Sequence, residues 1–262
     1  MIAALAKAYK VIEDERYFEY ANKTVNFIFD NLIDENKRLL ARYRDKESRH
    51  KAYLDDYAFL CFGLIELYES SFDVTFLKKA IDLNKDMINF FWDNDKQGFF
   101  LYGEDGEKLI ARPKELFDGA MPSGNSVAAY NLIKLARITG DTNLGEMAEK
   151  QLNFICGSIF SEEINHSFFL IAASFALNPS KELVCVLKDK SDEEKIKDLL
   201  SEKQTFNLTI IIKNDENKEE IEELIPFIKD YNFVNAKSTY YLCEGKACLA
   251  PVNDIDELRK LL

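Results

Sequence analysis

The sequence predicts a mainly α-helical chain: an incomplete (α/α) toroid of helical hairpins over residues 1–178, then a small α/β domain with a parallel sheet over residues 179–262. Three observations predict it. A helix–turn–helix pattern recurs along the first two-thirds of the chain. The hydrophobic period switches from that of helices to that of buried strands near Asn178 and Pro179. Residues 93–123 form a long excursion of the kind that builds a site at one end of stacked hairpins.

The repeat begins at Leu5, Leu64 and Leu132, at spacings of 59 and 68 residues. Nine positions after each leucine stands an acid, Asp14, Asp73 or Asp141, and a large apolar residue follows at Phe18, Leu77 or Leu144. Each unit closes on an isoleucine, at Ile28, Ile88 and Ile155. Before the acid, apolar residues recur at helical spacing, as in Leu60, Gly63, Leu64 and Leu67. Around it lies a short polar turn in which Asp, Ser or Thr can cap the next helix. A fourth first helix reads from HSFFLIAASFAL, residues 166–177, with no equivalent second helix after it. Stacked helical hairpins of this length make toroids or solenoids.

Within the excursion, GFFLYGEDGEKLI (residues 98–110) sets EDGE between two apolar runs and predicts a β-hairpin. After Pro179, ELVCVLK and NLTIIIK read as buried strands, each followed by a charged helix. STYYLCEG is a third strand and DIDELRKLL a last helix, an order that implies a small parallel sheet covered by helices. Neither of the first two strands leads into a Gly-rich phosphate loop, so nucleotide binding has no support, and no cofactor or metal is expected. Cys243 and Cys248 stand in CEGKAC without a second Cys/His pair, and their spacing is wider than that of a Cys-x-x-Cys redox motif. They read as buried or incidental thiols.

The formal net charge is −12, from 46 acids against 34 bases. That balance argues against nucleic acid or an anionic membrane as partner, because both demand concentrated positive charge. No apolar run approaches the roughly 18 residues of a membrane span. The N-terminal stretch, with Lys7 inside it, reads as an amphipathic helix and not a signal peptide. Five cysteines scattered over 262 residues make no disulfide framework, and cytoplasmic is the expected location.

Three blocks, LDDYAFLCFGLIELYESSFD, then GFFLYGEDGEKLIARPKELFDGAMPSGNSVAAYNL, then YYLCEGKACLAPVNDIDELRKLL, resemble the C-terminal part of the thioredoxin-domain-containing spermatogenesis-associated family. The resemblance covers essentially the whole chain. It implies a toroid similar to those of N-acylglucosamine 2-epimerases and six-hairpin glycosidases, followed by a small α/β tail. In the family a thioredoxin-like domain comes first; this chain has neither that domain nor a Cys-x-x-Cys. Met1 aligns with the interior of the family's ring, leaving about three and a half hairpins where the family has six. The resemblance therefore implies an open ring, one completed by a second copy or a separate chain, or a fragment. An open edge exposes apolar helix faces, so self-association is expected.

Asp55 and Asp56, in YLDDYAF, precede an apolar helix and carry two readings. One is an N-cap with a favourable charge at the helix's positive end. The other is a rim carboxylate that binds sugar hydroxyls or acts as acid or base. The family resemblance supports the second, because LDDYA opens an inner helix there. The loop RPKELFDGAMPSGNS gathers Arg112, Asp118, Ser123, Asn125 and Ser126 among two prolines and two glycines. One capping residue would suffice to start the following helix, so the loop reads as the rim of a pocket for a polyol. Tyr53, Tyr57, Trp92, Phe99 and Phe100 offer aromatic faces, with Tyr57 and Trp92 best placed to stack on a sugar and the rest read as core.

Two functions follow. The first is a carbohydrate-processing toroid with Asp55, Asp56 and Asp118 as catalytic carboxylates and Tyr57, Trp92, Arg112, Ser123 and Asn125 holding the sugar. Paired carboxylates must stand roughly 5–10 Å apart, and a carboxylate consumed by helix capping cannot serve. The second is a non-catalytic binding or assembly module whose ring is completed by a partner. The epimerases that the toroid resembles use histidine acid/base pairs. Here the histidines are only His50, read as a solvated loop residue, and His166, read as a cap; epimerase chemistry is not expected.

Overall fold

One turn, used three times, shapes the helical part of the chain. In the computed structural model, which describes all residues except 108, 109, 160–162, 203–206 and 246, helix α1 (Ile2–Ile12) turns into α2 (Glu15–Asn31). In the same way α3 (Leu54–Ser71) turns into α4 (Val74–Phe91), and α5 (Gly124–Thr139) into α6 (Thr142–Ser158). Each first helix stops at a residue in the left-handed region: Glu13 and Phe72 at φ 59°, Gly140 at φ 70°. Its N–H returns to the carbonyl four residues back, of Tyr9, Tyr68 or Ala136. The next residue is always the recurrent aspartate. Asp14 and Asp73 accept the N–H groups of Arg16 and Thr75 at 3.0 and 2.9 Å and so cap α2 and α4; Asp141 stands just before α6.

The chain divides into two compact units. The first comprises Met1–Ile133 and Asn143–Ser174. In it the first helices of successive hairpins are neighbours. Gly63 of α3 lies against α1, where a Cβ would stand 3.2 Å from that of Ile2. Asn131 of α5 donates to the Ala58 carbonyl of α3 at 2.8 Å. Phe62 of α3, Tyr130 of α5 and Phe168 of α7 (Ser167–Leu177) pack edge to face with centroids 5.7–5.9 Å apart. The second helices lie outside them, with Phe18 of α2 against Phe76 of α4 at 6.2 Å. This inner and outer layering is that of an incomplete α/α toroid. Helix α3 is apolar almost all round because it is buried almost all round, with Tyr57, Leu64, Leu67 and Tyr68 wholly inaccessible.

Between α2 and α3 the chain makes a hairpin of β1 (Leu40–Arg44) and β2 (Glu47–Lys51). It turns on Asp45 and Lys46, both at positive φ (54° and 63°). His50 lies in β2, where the sequence reads as solvated loop; charged residues throughout and a turn without Gly or Asn hide the strands. The hairpin expected at residues 98–110 forms its turn, Gly106 N–H to the Gly103 carbonyl at 3.0 Å, but no ladder among the described residues. Its first arm bonds elsewhere: Phe100 and Glu104 donate to the Phe91 and Phe90 carbonyls at the end of α4, and Leu101 to that of Pro113. Lys108 and Leu109, in the second arm, lie outside the described residues.

The second unit comprises Lys134–Thr142 and Phe175–Leu262, where the sequence sets the boundary at residue 178. Its elements are β3 (Lys181–Val186), α8 (Lys190–Glu202), β4 (Leu208–Lys213), α9 (Lys218–Leu224), β5 (Thr239–Glu244), β6 (Ala247–Cys248) and α10 (Ile255–Leu261). The strand order is β4-β3-β5-β6. Strands β3 and β4 pair in parallel around helix α8, whereas β5 runs antiparallel to β3, so the sheet is mixed. After β4 the chain passes through α9 and a further helical turn (Pro226–Asp230) and re-enters the sheet at the end it left, with Thr239 opposite Val186. Contrary to the expectation of free thiols, Cys243 and Cys248 are joined by a disulfide. No helix among the described residues is long and apolar enough to cross a membrane.

Candidate functional site

The two aspartates that open α3 do different things. Asp56 accepts the N–H of Tyr53 at 2.8 Å and so closes the first turn of its own helix. Asp55 reaches across to α5 and accepts the backbone N–H of Gly124, the first residue of that helix. The approach requires glycine: a Cβ at position 124 would stand 2.3 Å from Asp55 Oδ1 and 2.9 Å from Leu54 Cγ. The positive end of α5 thus faces the Asp55 carboxylate.

Both carboxyls are half-buried, and both are pushed above the ordinary aspartate range. For Asp55 the cause is burial first and the nearby Glu115 carboxylate second, with the Gly124 N–H opposing. For Asp56 burial outweighs the Tyr53 N–H and the Arg38 charge. Asp86 is likewise pushed up by burial, whereas two other acids of the unit behave in the opposite way. Against burial, Lys114 and two backbone N–H groups hold Asp93 below its usual range, and Lys51 and Arg38 do the same for Asp105.

Asp55 and Asp56 open on a groove of about 810 Å³ between α1, α2, β1 and the start of α3. Its walls are mostly apolar: Ile2, Ile28, Leu40, Phe59 and Phe62, with Tyr53 and Met121 at the exposed rim. Lys7 also reaches the groove, and its ammonium lies 3.0 Å from the Glu66 carboxylate. The Tyr53 ring is braced edge-on by Tyr102 at 5.3 Å.

The polar residues of the 112–126 loop are mostly turned inward. Asp118 is buried; Oδ1 accepts the Ser123 N–H, and Oδ2 accepts the N–H groups of Phe168 and Phe169 at 2.8 and 3.0 Å, in the first turn of α7. Ser123 accepts the Ser126 N–H and donates to the Ser126 hydroxyl, which makes it the cap of α5. Asn125 is wholly buried. Its oxygen accepts from Phe99 N–H and Gln151, and its amide donates to the Phe99 and Glu115 carbonyls. Tyr57 lies in the core, its hydroxyl accepting the Leu39 N–H, and presents no face to solvent.

Trp92 and Arg112 lie in a different cleft, of about 880 Å³, with Asp93, Lys114, Phe100 and Phe154. There the Arg112 guanidinium sits 3.9 Å above the Phe100 ring and donates to the Tyr102 carbonyl, and Trp92 packs on Phe99. Of the residues singled out from the sequence, the structure thus brings Asp55, Asp56 and Tyr53 to one groove and Trp92 and Arg112 to another. Asp118, Ser123, Asn125 and Tyr57 are placed in the framework. His166 sets Nδ1 2.9 Å from the Leu116 carbonyl.

Two residues near the groove carry no signal in the sequence. Glu115 bears on Asp55 through its charge. Arg38 is buried behind Asp56, its guanidinium over the rings of Phe90 (4.4 Å), Tyr57 (4.9 Å) and Phe91 (5.2 Å), ion-paired with Asp105 and donating to the Ala52 carbonyl. One arginine in a basic, polar stretch does not announce an aromatic cage formed by residues up to 53 positions away.

No protein-family model matches the chain. It is 27% identical over 273 aligned residues to human spermatogenesis-associated protein 20, an alignment that takes in all of this chain and 35% of that protein. It is 29% identical over 212 residues to the mouse protein, across 80% of this chain and 27% of that one. An uncharacterized protein of Caenorhabditis elegans is 28% identical over 283 residues, 99% of this chain and 36% of that one. The chain thus spans about a third of the length of these relatives, in their C-terminal part. Among solved structures it is similar to cellobiose 2-epimerase from Bacillus thermoamylovorans, with 17% identity and a TM-score of 0.51 over 62% of this chain and 44% of that one. That likeness is one of fold.

Proposed function

From a chain homologous along its whole length to the C-terminal part of spermatogenesis-associated protein 20, in an α/α-toroid fold, we propose that the groove at the start of α3 binds a carbohydrate. Asp55 is the carboxylate that meets its hydroxyls. The observation that carries this reading is the pairing of a half-buried carboxyl, raised by burial, with aromatic and apolar walls in one groove. Sugars have that double character: C–H faces lie against aromatic rings while hydroxyls seek strong acceptors and donors. In this reading Asp56 lines the groove and holds the helix start, Asp118 braces α5 against α7, and Arg112 and Trp92 belong to the other cleft. A paired-carboxylate reaction through Asp118 is not part of it, since each Asp118 oxygen already accepts backbone N–H bonds.

A screen of mono- and disaccharides, sugar phosphates and amino sugars by thermal shift tests it, on the wild type and on Asp55→Asn. A ligand near 100 times its Kd adds about 2.7 kcal/mol of stability. One sugar class should stabilise the wild type and leave Asp55→Asn unmoved.

A second reading, an assembly module, rests on a different observation. Met1, Val11, Ile12, Tyr20 and Phe27, all on the first hairpin, are 45–90% exposed. Five exposed apolar side chains on one helical hairpin suit an interface, and the occupant we propose is a second copy of this chain. Light scattering across a concentration series decides it: growth in mass supports the interface, and a monomer throughout rejects it.

A further inference from the structure

Strands β5 and β6 meet at a two-residue ladder in which Cys243 faces Cys248 and Glu244 faces Ala247. The two cysteines are bonded, yet they differ in access: Cys243 is buried and Cys248 is exposed. The Tyr231 hydroxyl lies 3.8 Å from both sulfurs. Its ring is fixed edge-on between Tyr241 at 4.8 Å and Phe227 at 6.2 Å. Cys243 pairs on its other side with Glu182 of β3.

The hairpin does not depend on the sulfur bond for its register. Leu249 N–H donates to the Leu242 carbonyl at 2.9 Å, Tyr240 and Val252 exchange both backbone bonds, and Gly245 N–H donates to the Ser180 carbonyl. After reduction the two thiols would therefore remain opposite each other, ready to re-form the bond. The loop closed by the disulfide is only five residues in sequence separation, the short kind whose closure restricts the unfolded chain least. A bond that adds little to hold the chain, with one sulfur in solvent and a hydroxyl beside both, has the features of a reactive pair and not of a staple.

We propose that Cys243 and Cys248 form a reversible thiol–disulfide exchange site whose co-reactant is a thiol or dithiol, with Tyr231 as its positioning residue. An external thiolate attacks Cys248 Sγ, the exposed sulfur. The S–S bond breaks, Cys243 leaves as a thiolate, and a mixed disulfide forms at Cys248. Tyr231 donates a hydrogen bond to the departing Cys243 sulfur, which then takes a proton from solvent. A second thiolate attacks the external sulfur of the mixed disulfide and releases Cys248, which is protonated in turn. The protein gains two electrons and two protons; the external pair loses them and departs as a disulfide. Burial first, and the Glu182 carboxylate second, push the Tyr231 hydroxyl above its ordinary range, so it keeps its proton for this role at neutral pH. The other free thiols do not compete within the fold: Cys61 and Cys185 are buried, and Cys156 stands alone at the surface.

The test equilibrates the native full chain with reduced and oxidised dithiothreitol at a series of ratios, then blocks thiols with N-ethylmaleimide and maps the adducts by mass. The expected result is that two adducts, at 243 and 248, appear and disappear with the ratio while the circular dichroism of the fold stays constant. Tyr231→Phe should slow reduction several-fold without lowering the melting temperature, a separation that a merely structural tyrosine would not show. Adducts at 243 and 248 at every ratio, or at none, would overturn the proposal, as would reduction that advances only in step with unfolding in urea. An unchanged rate in Tyr231→Phe would overturn the role given to the tyrosine. Cys248→Ser, followed by circular dichroism, should keep the fold and lose the ratio-dependent change at 243; retention of that change would overturn the pairing.

Discussion

Asp55 at the start of α3 accepts the backbone N–H of Gly124 at the start of α5, and the absence of a Cβ at residue 124 is what lets the two helices meet there. Gly124→Ala puts a methyl group 2.3 Å from the Asp55 carboxylate oxygen. We expect a loss of about 1–3 kcal/mol, the usual cost of overpacking, together with loss of any ligand held by Asp55. Urea unfolding of the variant measures the first and a ligand titration the second.

The pH behaviour of Asp55→Asn separates function from capping. The Asp55 carboxyl is raised above its ordinary value of 3.8 in the folded chain, so over that window the native state holds more protons than the unfolded state. Its contribution to stability is therefore most favourable at low pH and declines as pH rises from 3.8 through the raised value. Asparagine keeps an acceptor for Gly124 and carries no charge. Relative to wild type, Asp55→Asn should gain stability as pH climbs from below 4 to 7. Urea melts across that range check it; a variant less stable at pH 7 than at pH 4 relative to wild type would make Asp55 a cap.

Asp118 gives the contrasting result. Its carboxylate is the acceptor for three backbone N–H groups in a buried position. Asp118→Ala leaves those donors unpaired, and we expect a loss of about 2–4 kcal/mol. Hydrogen exchange should quicken first at Phe168 and Phe169. Under conditions where the variant is folded, ligand affinity should stay at the wild-type value.

The repeated turn offers a stabilising change. Glu13 occupies the left-handed position that Gly140 fills in the third hairpin, and its side chain is exposed. Glu13→Gly relieves a strain of roughly 1 kcal/mol, partly offset by the freedom glycine gains in the unfolded chain. A rise in melting temperature of about 1–3 °C is expected; a fall would show that Glu13 holds the turn in some other way.

The hairpins were legible because their determinants are local. A left-handed residue followed by a capping aspartate, with apolar residues at helical spacing on either side, is written in consecutive positions, and so are the two parallel strands β3 and β4. Asp55 and Asp56 were legible for the same reason, as acids at a helix start. The loop residues were not. Asp118 looks like a rim carboxylate until Phe168 and Phe169, 50 and 51 residues later, fold back to use it. Asn125 looks like a polar ligand group until Gln151 and the backbone of Phe99 consume it. Tyr57 lost its expected role to burial, its hydroxyl satisfied by Leu39 from the preceding loop. The direction of β5 depended on where the chain, after α9 and the turn at Pro226–Asp230, rejoins β3, a pairing of residues more than 50 positions apart. The cross-strand pairing of Cys243 and Cys248 needed a two-residue strand too short to register as one.

The most direct measurement is a thermal-shift titration of the sugar panel on wild type and Asp55→Asn, run side by side at pH 7. We expect one sugar class to raise the wild-type melting temperature in a saturable way and to leave Asp55→Asn unmoved, with the unliganded variant melting no lower than wild type. No shift with any sugar, or an equal shift in both proteins, would contradict a carbohydrate groove built on Asp55.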